Sequence, residues 1–123
     1  MIAVKKIQEQ LTKNLLVPII LDLLDNQPMC GYEIMSTIRK TYGVNLGAST
    51  MYPKLNNLES KCLVTSEWNI ARANSRPKKV YKLTPEGQAV LHYSTGSLNQ
   101  ISKNLDNVKA KNNKNMQISV LFR

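Results

Sequence analysis

The chain has 123 residues, 42% of them hydrophobic, which is enough for one compact core and too little for two. Seventeen Lys and Arg against eight Asp and Glu leave a net charge of +9, a balance that draws polyanions and keeps DNA, RNA and acidic membrane surfaces open as partners. No apolar run approaches the ~18 to 20 residues that cross a bilayer, and no N-terminal apolar region ends in a small-residue cleavage site, so the expectation is a cytoplasmic protein with no membrane partner.

Apolar residues are dense from Leu11 to Leu24, where Pro18 is expected to bend or interrupt a helix that Asp25-Asn26-Gln27-Pro28 ends. From Gly31 to Tyr42, Ile34, Met35 and Ile38 mark one buried helical face, and Gly43 stops the helix. Val44-Asn45-Leu46-Gly47 makes a short connection to a further helix, in which Met51, Leu55, Leu58 and Cys62 recur at spacings of 4, 3 and 4 and share a face. Ser49 and Thr50 are read as hydroxyl caps at its start, with Pro53 in its first turn. Two helices joined by a short Gly-containing turn fit a helix-turn-helix, although many small helical bundles share that pattern.

Leu63 to Asn69 and Lys79 to Leu83 read as the two strands of an antiparallel hairpin. Between Ile70 and Lys82 lie five cations, Arg72, Arg76, Lys78, Lys79 and Lys82, and no acid, whereas Asp22, Asp25, Glu33 and Glu59 lie in the helical first half. A basic loop around Pro77, a strand and a helix start then follow without a gap, the order of the wing in a winged-helix DNA-binding domain. Thr84 is the expected N-cap of the last helix and Pro85 its first residue, where a missing N–H costs nothing.

In that helix Leu91, Leu98 and Leu105 recur every seven residues, with Ile101 and Val108 at the intervening positions. Dimerisation through this seam is expected, weakened by Ser94 and Gly96, against the alternative of a helix folded onto its own core. Lys109 to Asn115 reads as the helix end. The apolar tail from Met116 to Arg123 has three open roles: edge strand, docking segment or frayed end.

Cys30, Cys62 and His92 stand apart from one another at no metal-site spacing, so no metal or other cofactor is expected, and both cysteines read as small buried residues. With no carboxylate pair, Cys/His dyad or phosphate-binding Gly loop, the chain does not read as an enzyme.

Leu24 through Gly87 resembles the PadR-type transcriptional regulators. The resemblance lies in Cys-Gly-Tyr-Glu-Ile (30 to 34), Ser-Thr-Met-Tyr-Pro-Lys-Leu (49 to 55), Leu-Glu-Ser-Lys-Cys-Leu-Val (58 to 64) and Arg-Pro-Lys-Lys-Val-Tyr-Lys-Leu-Thr-Pro-Glu-Gly (76 to 87), in that order. It implies a homodimeric winged helix whose recognition helix enters the major groove, whose wing follows the phosphate backbone and whose C-terminal helix forms the dimer. The chain departs from the family at Ser49 and Cys62, where relatives often have Gly, and at Cys30, where they commonly have His.

The expected architecture is mostly α with a small β-hairpin (α+β): a winged helix-turn-helix domain over residues 1–87, then a dimerisation helix and short tail over 88–123. The expected function is that of a sequence-specific transcriptional regulator, a repressor, binding double-stranded DNA at a roughly palindromic operator. Ser49, Thr50 and Tyr52 would offer hydroxyls to phosphates, and Lys54 and Asn57 would reach base edges. The Tyr52 ring packs under the first helix in an equally weighted alternative. Arg72, Arg76, Lys78 and Lys79 would neutralise phosphates. Lys5, Lys6 and Lys13 would add backbone contacts or form a solvated face; Trp68 would anchor the core or line a pocket. A small-molecule effector stays open, since no cluster of ligand-binding polar residues is legible. The expected location is the cytoplasm, in association with the nucleoid; the rival readings are an abundant, weakly specific DNA-binding architectural protein and a winged-helix protein-interaction module, and the acid-free basic stretch argues against the second.

Overall fold

The computed structural model describes the backbone of residues 2–70 and 76–115, with side chains through residue 107. In chain order the elements are α1 (Ile2–Asn14), α2 (Leu16–Asn26), β1 (Met29–Cys30), α3 (Gly31–Tyr42), α4 (Ala48–Ser60), β2 (Val64–Asn69), β3 (Lys78–Leu83) and α5 (Pro85–Asn115). Two compact units result, Met1–Leu91 and His92–Arg123.

Pro18 divides the N-terminal helical stretch. It has no N–H to offer the Asn14 carbonyl and its ring crowds that oxygen, so α1 ends at Asn14 and α2 restarts at Leu16 with Pro18 in its first turn. Backbone bonds from Leu15 to Leu11 (2.9 Å) and from Ile19 to Leu15 (3.0 Å) carry the chain through the break. The core then forms as the periodicity requires: Leu16, Ile20, Leu21 and Leu24 of α2 pack with Ile34 and Ile38 of α3 and with Met51, Leu55 and Leu58 of α4. Each such side chain contributes roughly 1.5 to 3 kcal/mol by leaving water. Val44 and Leu46 are also buried, with exposed Asn45 between them, because the α3–α4 link is extended and alternates its side chains. The link therefore belongs to the core as well as joining two helices.

The expected hairpin is the larger part of a three-stranded antiparallel sheet in the order β1-β3-β2. β1 pairs Met29 with Tyr81 and Cys30 with Val80. Two residues are too few to show a period of two, which is why this strand was not legible in the sequence. Tyr81, on the central strand, is only 1% exposed.

Helix ends account for much of the geometry. Gly43, at φ 70°, takes the left-handed position that closes α3 and donates to the Arg39 carbonyl at 3.0 Å. At the other end of α3 the Glu33 carboxylate accepts the Cys30 backbone N–H at 2.9 Å. For α4 the expected caps are corrected: Gly47 is the N-cap, Ser49 and Thr50 are the second and third helical residues and make no cap bond, and Pro53 is the sixth, past the first turn. Pro53 therefore withholds the N–H that the Ser49 carbonyl would otherwise accept.

Cys62 also departs from expectation, being exposed rather than buried and holding φ at 61°. It ends α4 as Gly43 ends α3, but with a Cβ that disfavours this conformation. Thr84 caps α5 as expected, its hydroxyl accepting the Gly87 N–H at 2.9 Å. Gly87 is required there, since a Cβ would run into the Leu63 carbonyl.

Two stability predictions follow from these caps. Cys62→Gly is expected to raise unfolding stability by about 1 kcal/mol in chemical denaturation, by relieving the left-handed strain. Glu33→Ala is expected to destabilise at neutral pH. The Cys30 backbone N–H, then its thiol, lower the Glu33 pKa below the ordinary 4.5. That stabilisation is complete above the ordinary value and is lost as pH falls through the lower folded pKa, so wild type and variant should converge in acid.

Candidate nucleic-acid interface

A helix turns 100° per residue, so burying Met51, Leu55 and Leu58 turns Ser49, Pro53, Asn56, Asn57 and Ser60 outward on α4, and all five are exposed. Thr50 is also exposed. Lys54 lies nearer the buried stripe and is half-buried. Tyr52 is 38% exposed, and its ring and hydroxyl lie across the backbone of Gly31, where an added Cβ would come within 2.6 Å of the hydroxyl. Its ring thus has a structural place against the start of α3, and Gly31 is what gives it room.

The sheet register sets the wing. Trp68 opposes Lys79 and Ser66 opposes Tyr81, so these four share a face. Ser66 donates to the Glu59 carboxylate of α4, which turns that face toward α4. Lys79 is held by the same carboxylate at 3.7 Å and lies 5.7 Å from the centre of the Tyr81 ring. Burial, then the Glu59 charge, raises the Tyr81 pKa. On the opposite face Lys82 pairs with Glu67 at 3.4 Å. The basic stretch is therefore acid-free along the chain but not in space, and the wing cations differ: Arg76 and Lys78 are exposed, while Lys79 is half-buried beside a carboxylate. Arg72 lies outside the described residues.

Trp68 anchors no core: it is 64% exposed. With Tyr32, 68% exposed, and Tyr52 it lines a groove of about 750 Å³ between the wing and the α3–α4 pair, which Asn56, Arg76, Lys78 and Lys79 also line. Sequence reading passed over Tyr32 and Asn56. The signal for Asn56 was available, because its helical angle puts it on the same outward arc as Asn57.

On α5, Leu91 is half-buried against the domain core and Leu98 is half-buried, whereas Ile101 and Leu105 are 55% and 67% exposed. The Val108 side chain and the 116–123 tail lie outside the described residues. α1 carries a second apolar stripe: Val4, Ile7 and Leu11, at spacings of three and four, are 61%, 60% and 54% exposed. Lys5, Lys6 and Lys13 of α1 are exposed. Among the described residues, no cluster of three or more His, Cys, Asp or Glu could hold a metal ion, and no helix is long and apolar enough to cross a membrane.

Comparison with known proteins agrees with this geometry. Residues 20–93 match the model of the Transcriptional regulator PadR-like family. Transcriptional regulator Rv3488 of Mycobacterium tuberculosis is 31% identical over 62 residues, 50% of this chain and 56% of that protein, so the match spans little more than half of that relative's length. Among solved structures, a PadR family transcriptional regulator from Eggerthella lenta superposes with a TM-score of 0.74 at 28% identity, covering 86% of this chain and 91% of that one. Bacillus subtilis PadR in complex with operator DNA superposes with a TM-score of 0.60 at 30% identity, covering 66% of this chain and 46% of that one. With one family matched over more than half of its length, and with helix-turn-helix and wing in the expected order, the chain belongs to the PadR-like family of transcriptional regulators.

Proposed function

We propose that the chain is a sequence-specific repressor that binds operator DNA as a homodimer. The observation that carries this reading is the exposed polar arc of α4 beside the exposed wing cations Arg76 and Lys78, on a fold whose relative from Bacillus subtilis was solved with operator DNA. In this reading α4 lies in the major groove. Asn57, joined by Asn56, offers the paired donor and acceptor that match adenine, while Ser49, Thr50 and the Tyr52 hydroxyl bind phosphates. Lys54 extends its ammonium from a half-buried stem. Arg76, Lys78 and the half-buried Lys79 neutralise the backbone on the wing side, with Arg72 adding to them. Repression follows from occupying DNA that the transcription machinery needs, which places the protein with the chromosome in the cytoplasm.

Residues 1–87 would bind DNA and 88–123 would dimerise. The exposed Ile101 and Leu105 on α5 support that division, with Leu91, Leu98 and Val108 completing the seam. The Val4-Ile7-Leu11 stripe of α1 supplies further apolar surface that a partner subunit would cover. A two-fold dimer reads two half-sites ~34 to 36 Å apart and so prefers a palindrome.

Selection of sites from random duplex DNA, followed by salt titration of the winner against a scrambled duplex, tests the reading. A palindrome preferred by ~10³-fold or more is expected, and equal affinity for both duplexes would replace it with a weakly specific architectural role. Arg76→Ala and Lys78→Ala should each lower the slope of log affinity against log salt by ~0.9, and Lys79→Ala by less, because Glu59 already compensates that charge. Asn57→Ala should erode discrimination at one base pair by ~1 to 3 kcal/mol while leaving the salt slope intact. Ile101→Asp combined with Leu105→Asp should give a monomer in sedimentation velocity and lose the preference for paired half-sites.

A further inference from the structure

We propose that the groove between α4 and the wing is a binding site for a nucleobase bearing a phosphate. Tyr32, Tyr52 and Trp68 come from three different elements, α3, α4 and β2, and line this one groove while 68%, 38% and 64% exposed. Its volume of about 750 Å³ falls within the range of sites that enclose small ligands. Arg76, Lys78 and Lys79 stand along the wing side, and the Asn56 amide offers a donor and an acceptor from α4.

Charge and shape together select the occupant. A neutral apolar molecule would cover the rings and leave the exposed Arg76 and Lys78 uncompensated. Inorganic phosphate would satisfy the cations and leave the aromatic faces in water. Intact duplex presents phosphates but keeps its bases stacked on one another. A base joined to a phosphate uses both walls: aromatic rings stack on any base for ~1 to 3 kcal/mol, and the phosphate forms charge-assisted hydrogen bonds with Arg76 and Lys78. The unit has two sources, a free mononucleotide and an unpaired nucleotide in a strand. Because Tyr52, Arg76 and Lys78 also belong to the DNA face, occupancy excludes duplex DNA; this competitive consequence rests on the operator-binding reading, and the nucleotide site itself does not.

Trp68 is the only tryptophan, so its fluorescence in the full-length protein reports on the groove directly. Titrations with AMP, dTMP, adenosine, inorganic phosphate and a short oligo(dT) are expected to show saturable quenching by both mononucleotides and none by phosphate alone. Adenosine, and AMP with the Arg76→Ala/Lys78→Ala variant, should each bind about tenfold more weakly. Tighter binding of oligo(dT) than of dTMP would identify a strand as the source, and equal binding a free nucleotide. Absence of quenching by mononucleotides and oligonucleotide alike, or equal affinity for adenosine and AMP, would overturn the proposal. Calorimetry with Trp68→Ala, a substitution outside the core, should show AMP binding lost; unchanged binding would refute the stacking. Finally, AMP should release labelled operator duplex. A protein that binds AMP but no duplex would refute operator binding alone, and one that holds both together would refute the competition.

Discussion

One threonine ties the base of the hairpin and the start of α5 to the end of α4. The Thr84 hydroxyl donates its one proton to the Cys62 carbonyl at 2.7 Å and accepts the Gly87 N–H at 2.9 Å, while the Thr84 backbone N–H reaches the Leu63 carbonyl at 3.2 Å. The end of α4, the base of the hairpin and the start of α5 thus meet within a few residues. Val64 pairs with Leu83 beside this junction, so the hairpin leaves it in one register. Gly87 completes it by letting the first turn of α5 approach the Leu63 carbonyl. This joint and the Ser66–Glu59 bond together hold α4 and the hairpin at one spacing, which two surfaces binding one rigid polyanion in the proposed way would need.

What could be read in the sequence followed the local physics. Periods of three and four residues identify α3 and α4, because Ile34, Ile38, Met51, Leu55 and Leu58 are buried through a helix's own repeat. Thr84, Pro85 and Gly43 announce their caps because turn chemistry is local. The features that were not legible depend on chain segments distant in sequence. β1 exists only because Met29 and Cys30 meet Tyr81 and Val80. Trp68 looks like a core residue by type, and only the register shows that its face runs out beyond Ser66 toward the groove. The charge pattern misled for the same reason: Glu59 approaches Lys79 from another element, and no reading along residues 70–82 contains it. The apolar stripe of α1 escaped notice because Leu11 merges by density with the buried run of α2, although Pro18 separates the two.

Among the described residues, three clusters of exposed apolar side chains stand out, and they are of two chemical kinds. α1 and α5 present aliphatic residues at helical spacing, which suits another helix. The groove instead presents aromatic rings beside cations, which suits flat anionic matter. Isolated apolar residues on a protein surface need no explanation, but repeated ones of a single type do. The separation by type matters: aliphatic seams select partners by packing, whereas rings and guanidinium groups select by stacking and charge, so one small domain can keep two kinds of partner apart.

Glu59 has a kinetic consequence. Its carboxylate is tethered by Ser66 as well as by Lys79, so it stays in place if the lysine swings outward. In a complex formed as proposed, a phosphate that takes Lys79 leaves a fixed anion behind, and the lysine always has a second station a few ångströms away. Each loosening of the wing then offers recapture by Glu59 in place of immediate rebinding to the phosphate. Such an internal competitor shortens residence on every sequence alike, and so speeds the search past wrong sites without being able to recognise the right one.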